Sequence, residues 1–118
     1  QHDDKSEAEF LDFLLNEFEQ KILTLGADNV AAFFAEPIMG AGGVIVPPAG
    51  YHKKTWEICK KHDVFVIEDA AESLGATFND KHTGTFGDFG IFSFHAQKNI
   101  TTLGEGGAIV VNNKKFEK

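Results

Sequence analysis

Val64-Phe65-Val66-Ile67-Glu68-Asp69 carries four apolar residues into two adjacent carboxylates. A continuous apolar run of this length fits a strand buried on both faces, as in a parallel sheet, and Glu68-Asp69 marks its end. Just upstream, Tyr51–Lys61 reads as a helix with Trp56, Cys59 and Ile58 turned inward. Farther upstream, residues 30–35 form a second short apolar run, also of the doubly buried kind, closed by Glu36-Pro37. A loop, Ile38-Met39-Gly40-Ala41-Gly42-Gly43, the triplet Val44-Ile45-Val46 and Pro47-Pro48 join that run to the helix. Strand, helix and strand in this order predict a right-handed parallel crossover.

The opening segment reads as a helix over Glu7–Leu25. Ser6 is a good N-cap with Glu9 three residues on, the pattern of a capping box, and Gly26 follows as a stop. Phe10, Phe13, Leu14, Phe18, Ile22 and Leu25 recur at helical spacing, while Asp3, Asp4, Glu7, Glu9 and Asp12 suit the positive end of the helix dipole. After Asp69 the pattern changes. Residues 70–74 suit a short helix, and the glycine-studded 75–90 is irregular or hairpin-like, with turn signals at Asn79-Asp80 and Gly84. Residues 89–94 and 108–112 are further strand candidates, joined by a tight connection through Gly104, Gly106 and Gly107. The predicted class is α/β, an open, mostly parallel sheet with flanking helices.

Composition excludes several functions. A net charge of −7 argues against nucleic acid or an anionic membrane as partner. No apolar stretch approaches the ~18 residues of a membrane helix, and the polar, acidic first residues predict neither secretory signal nor transit peptide. All 11 basic residues are lysines. Arginine is the usual bidentate clamp for carboxylate or phosphate, so such groups must be met here by lysine, hydroxyls, backbone amides or another chain. The single Cys59 suits a reducing compartment, most simply the cytoplasm. His2, His52, His62, His82 and His95 have no metal-ligand spacing with Cys59, and Gly40, Gly42 and Gly43 make neither a dinucleotide fingerprint nor a P-loop.

Ligands of open α/β sheets bind beyond the carboxyl ends of parallel strands. Glu36 and Asp69 end the first two strands, and Lys98 lies just past the third. If those strands are neighbours, the three side chains gather on one rim. A lysine and a carboxylate so placed suit pyridoxal phosphate: the amine forms a Schiff base with its aldehyde, and the carboxylate keeps the ring nitrogen protonated. Plainer roles stand beside these. Lys98 could be a solvated surface lysine, Asp69 a cap for the next helix, Ser93 a core-facing or edge hydroxyl, His95 a structural residue and Glu36 a strand-end hydrogen-bonding group.

Four segments in order resemble one family: Asp69-Ala70-Ala71-Glu72-Ser73-Leu74-Gly75, Gly84-Thr85-Phe86-Gly87-Asp88, Phe92-Ser93-Phe94-His95-Ala96-Gln97-Lys98-Asn99 and Gly104-Glu105-Gly106-Gly107. Across about residues 64–113 they are similar to the DegT/DnrJ-type aminotransferases, pyridoxal-phosphate enzymes that place amines on keto groups of nucleotide sugars. The resemblance implies that Lys98 is the Schiff-base lysine, Asp69 the partner of the pyridine nitrogen, and Ser93 a hydroxyl donor to the cofactor phosphate. It puts Glu72 where the family usually has a glutamine or histidine touching the ring face or its hydroxyl.

The front part, Ala35-Glu36-Pro37-Ile38-Met39-Gly40-Ala41-Gly42-Gly43-Val44-Ile45-Val46-Pro47-Pro48 with Gly50-Tyr51 and the helix to Asp63, resembles the class III (omega) aminotransferases. They share the fold but follow the second strand with Asp-Glu-Val, where this chain has Asp69-Ala70-Ala71. Residues 1–118 therefore read as one partial large-domain segment of chimeric look, engineered or recombined, with a seam near residues 62–67. The resemblance implies a small-molecule amino donor and a keto acceptor, a last strand antiparallel to the rest, and two subunits sharing each site, as a homodimer or by association through open sheet edges. It also implies that the phosphate cup and the small domain lie outside these residues, so the alternative is a non-catalytic, chimeric or truncated α/β segment.

Overall fold

The computed structural model describes residues 5–116. They fall into two compact units: one holds the residues up to Phe33 with Ile38–Phe65, the other Phe34–Pro37 with Val66 onward.

In the first unit, α1 spans Glu7–Leu25 and α2 spans Tyr51–Lys61, both as the sequence predicts. Ser6 accepts from Glu9 N through Oγ, and Glu9 Oε2 accepts from Ser6 N at 2.9 Å, so the capping box is closed. Ser6→Ala should cost about 1 kcal/mol of stability, read as a lowered urea midpoint. Along α1, Leu11 and Ile22 are buried, whereas Leu25 stands half exposed beside the Gly26 stop. In α2, Thr55 and Cys59 are fully buried, and Thr55 Oγ1 donates to the carbonyls of Tyr51 and His52. The helices are tied by Lys54–Asp12 at 3.8 Å and by Glu19, whose Oε1 lies 2.7 Å from both Lys61 Nζ and His62 Nε2.

Three groups of this unit are shifted from their ordinary values, and the first is Glu9, whose carboxyl the side-chain and then the backbone hydrogen bond of Ser6 hold low. The hydrogen bond from Lys61, then that from His62, holds the Glu19 carboxyl below the ordinary carboxylate range. A lowered carboxylate favours the fold above its unfolded pKa, and that contribution fades as pH falls through the lowered value. Burial, then the nearby Cys59, pushes the Tyr51 phenol up. As Tyr51 is the single tyrosine, phenolate absorbance should rise with a midpoint above the ordinary value of about 10.

The sheet order is β1-β2-β5-β6, with β1 Ala32–Ala35, β2 Phe65–Asp69, β5 Phe89–Ser93 and β6 Gly107–Val111; Ala32, Phe33 and Phe65 belong to the first unit and the other strand residues to the second. β1 is shorter than the apolar run of 30–35 and is not doubly buried: its exposure alternates, and Phe34 is 53% exposed. The two faces of the strand therefore differ: the one bearing Ala32 and Phe34 is open and the one bearing Phe33 and Ala35 is partly covered. β2 pairs with β5 in parallel, Asp69 opposite Ile91, and β5 pairs with β6 antiparallel, as the resemblance implies. Residues 70–74 form two tight turns rather than a helix. Asp69 Oδ1 accepts from Ala71 N at 3.1 Å, Ser73 N donates to Ala70 O, and Gly75 turns at φ +86°, so local side-chain bonds displace the helical ladder. The hairpin is present as β3 Thr77–Phe78 and β4 Lys81–His82, joined by Asn79 and Asp80 at φ 49° and 59°. Two left-handed residues in succession are the signature of a type I′ turn.

Candidate cofactor site

Exposure along β2 alternates: Val66 and Glu68 are buried, while Phe65, Ile67 and Asp69 are partly open. Successive strand residues point to opposite faces, so Glu68 and Asp69 look in opposite directions. On the Glu68 side lies the loop after the hairpin. Gly84 N donates to Glu68 Oε1 at 2.7 Å and Phe86 N to Oε2 at 2.9 Å, which satisfies a carboxylate 4% exposed. Gly90, opposite Glu68 on β5, lets this loop approach: a Cβ there would stand 1.9 Å from the Gly84 carbonyl oxygen. Asp88 continues the seal, its N donating to Val66 O and its Oδ2 accepting from Val66 N, both at 2.8 Å. Sequence reasoning gives Glu68 no role. Its signal is the pair of adjacent acids at a strand end, which alternation must divide between two faces.

The other face holds the candidate residues. Asp69 pairs in register with Ile91, and Ser93 lies two residues beyond, so Asp69 and Ser93 share that face at the carboxyl ends of neighbouring parallel strands. The turns after Asp69 carry Glu72 to the segment after β5, where its carboxylate forms an ion pair with the Lys98 ammonium. Asn99 Nδ2 donates to the Glu72 carbonyl at 3.4 Å and ties the same two segments. The Lys98 side chain is 23% exposed, reachable but largely covered. The loop bearing it is ordered by its own bonds. His95 N donates to Ser93 Oγ at 3.3 Å, Lys98 N to His95 O at 2.9 Å, and Gln97 N to His95 Nδ1 at 3.2 Å, while His95 Nε2 faces Glu105 at 3.4 Å. Glu36 directly succeeds β1. Among the described residues no group of His, Cys, Asp and Glu suits a metal ion, and no helix is long and apolar enough to cross a membrane.

The chemistry on this rim fits pyridoxal phosphate. There is an amine for an aldehyde. Asp69 keeps Oδ2 without a hydrogen bond among the described residues, which leaves one oxygen for a protonated ring nitrogen. Ser93 Oγ accepts from His95, so its own proton can be donated to an anion.

Known proteins agree with the fold. A crystal structure of the omega transaminase from Pseudomonas jessenii in complex with PMP superposes with a TM-score of 0.73 at 38% identity, covering 92% of this chain and 24% of that one. A transaminase solved with L-ala superposes at 0.74 with 30% identity, covering 94% of this chain and 26% of that one. Putrescine–pyruvate aminotransferase of Pseudomonas aeruginosa is 53% identical over 66 residues, 56% of this chain and 14% of its own length. GDP-perosamine synthase of Escherichia coli O157:H7 is 52% identical over 58 residues, 49% of this chain and 16% of its own length. The chain thus spans about one-seventh of the first of these relatives and one-sixth of the second. Family and neighbours together indicate pyridoxal phosphate as cofactor. The family match runs over residues 53–118, beginning inside α2 and covering more than half of the sequence; the chain belongs to the DegT/DnrJ/EryC1/StrS aminotransferase family.

Proposed function

We propose that this chain is the cofactor-binding core of a pyridoxal-phosphate-dependent aminotransferase, acting on a small-molecule amino donor and a keto acceptor. One observation carries the reading: the segments after β2 and β5 meet through Glu72 and Lys98, beside Asp69 and Ser93 at the ends of those strands. Pyridoxal phosphate, when bound, supplies an electron-withdrawing ring that stabilises negative charge on the substrate carbon. Lys98 would hold the cofactor through its aldehyde and would carry a proton to or from the substrate carbon as general acid and base. Asp69 would meet the ring nitrogen. Ser93 donates to the phosphate, and Glu72 reaches the ring or its hydroxyl. With no arginine in the chain, backbone amides and the Ser93 hydroxyl take on anion binding here.

A nucleotide-sugar acceptor is the finer reading, supported by the GDP-perosamine synthase likeness. Transfer to a nucleotide-linked keto sugar, compared with transfer to pyruvate, tests it; preference for pyruvate would reject the sugar. Residues 1–118 are read as one large-domain segment with a seam near 62–67, supported by two unlike relatives that each match about half of it above 50% identity. The subunits are proposed to form a homodimer or to associate through open sheet edges, and size-exclusion elution, at twice the chain mass for the dimer, is the check. Titration with pyridoxal phosphate, then borohydride reduction and peptide mass mapping, tests the central reading. A label at Lys98 is expected, and no yellow, reducible adduct at all would favour the alternative of a non-catalytic α/β segment.

A further inference from the structure

We infer that His95 is a positioning residue for Lys98: its imidazole acts as the acceptor of an Asx-type turn and folds the segment after β5 so that the amine is presented at the rim. The inference deepens the proposed function and rests on the role given there to Lys98. His95 captures two successive backbone donors. Gln97 N donates to its ring Nδ1 at 3.2 Å, and Lys98 N donates to its own carbonyl at 2.9 Å. A side chain that accepts from the amide two residues on makes the bond of an Asx turn, a device usual for Asn and Asp and made here by a ring nitrogen. Because Nδ1 accepts, the proton of the neutral ring sits on Nε2, which lies 3.4 Å from Glu105 Oε1. The ring therefore stands between the start of the loop and its far end. Behind it the loop is pinched, with Phe94 N donating to Gly106 O at 2.7 Å and Thr102 N to Phe94 O at 3.0 Å. His95 N also donates to Ser93 Oγ at 3.3 Å, so one residue sets both the hydroxyl offered to an anion and the turn that carries the amine. The His95 side chain is 39% exposed, so water competes for the Gln97 bond and its loss should change occupancy of the turn by a modest factor.

Two readouts on the full chain test the role. Solvent-exchange NMR at the Gln97 amide reads the turn with no cofactor present, and pyridoxal phosphate with borohydride reads the amine. His95→Leu removes the ring acceptor and keeps an apolar side chain. Exchange at Gln97 N should then quicken about three- to tenfold, the size expected of one hydrogen bond that competes with water. Labelling at Lys98 should slow by the same factor, because only the folded turn presents the amine. His95→Asn supplies a carboxamide oxygen at Asx-turn reach, and it should restore both readouts to near the parent values. A merely structural role would lower the urea midpoints of His95→Leu and His95→Asn together and give Asn no advantage. Parent-like exchange at Gln97 in His95→Leu, or no rescue by His95→Asn in either readout, would overturn the inference. Undiminished borohydride labelling of Lys98→Ala would instead reject the cofactor-lysine reading, and the exchange contrast would then decide the turn alone.

Discussion

Lys98→Ala is expected to lose the borohydride-stable cofactor label almost completely. The chain has 11 lysines, so ten others (11 − 1) remain to report background. Lys54 and Lys61 are engaged by Asp12 and Glu19, and Lys5 and Lys81 lie over the Phe13 and Phe86 rings, so background labelling should be weak and spread over many peptides. Lys98 differs by position. It lies beyond the carboxyl end of β5 and pairs with Glu72 from the turns after Asp69, so on the proposed reading a ring and a phosphate would find a carboxylate and a hydroxyl at the neighbouring strand ends. Proximity of that kind converts a weak bimolecular capture into a favoured one. Asp69→Asn should keep some label but shift the absorbance of the adduct, because the ring nitrogen loses its anionic partner. Equal labelling of the parent and Lys98→Ala would refute the assignment.

Gly90→Ala should be the most damaging small substitution in the second unit, costing at least ~3 kcal/mol or preventing folding. The added methyl would meet the Gly84 carbonyl oxygen at 1.9 Å and its carbonyl carbon at 2.5 Å. Both are backbone atoms, so no rotamer change relieves the clash. The loop would have to lift, and lifting it strips Gly84 N and Phe86 N from the buried Glu68 carboxylate. A buried charge that loses its partners is strongly destabilising. Gly104→Ala is the control: nothing lies within 4 Å of its Cβ position, and its cost should stay within ~0.5 kcal/mol. Urea midpoints of the two variants check the contrast, and equal midpoints would show that the loop does not rest on β5.

The helices were legible because their signals are local. A capping box, a stop glycine and apolar residues at helical spacing lie within a few positions of one another, and α1 begins and ends where those signals fall, while α2 has no side-chain cap and ends at His62. The hairpin was legible through Asn79-Asp80 for the same reason. What escaped depends on distant partners. Residues 70–74 have the composition of a helix, yet the Asp69 carboxylate and Ser73 capture nearby backbone groups and bend the chain. The exposure of Phe34 reflects a strand face left open, and an apolar run cannot declare which face is covered. Among the candidate residues, the order Asp69, Ser93, Lys98 could be read from strand ends. The pairing of Glu72 with Lys98 could not, since it depends on how two irregular segments fold back over the rim.

The alternation of β2 sets a rule for anyone who edits this chain. Neighbouring acids serve opposite sides, one stitching a loop from within and the other facing the ligand rim. Adding or deleting one residue inside the strand would reverse their parity and present the stitching acid to the ligand. A crossover between unlike parents would therefore survive in this strand only when it conserves the odd–even count, whatever residues it exchanges.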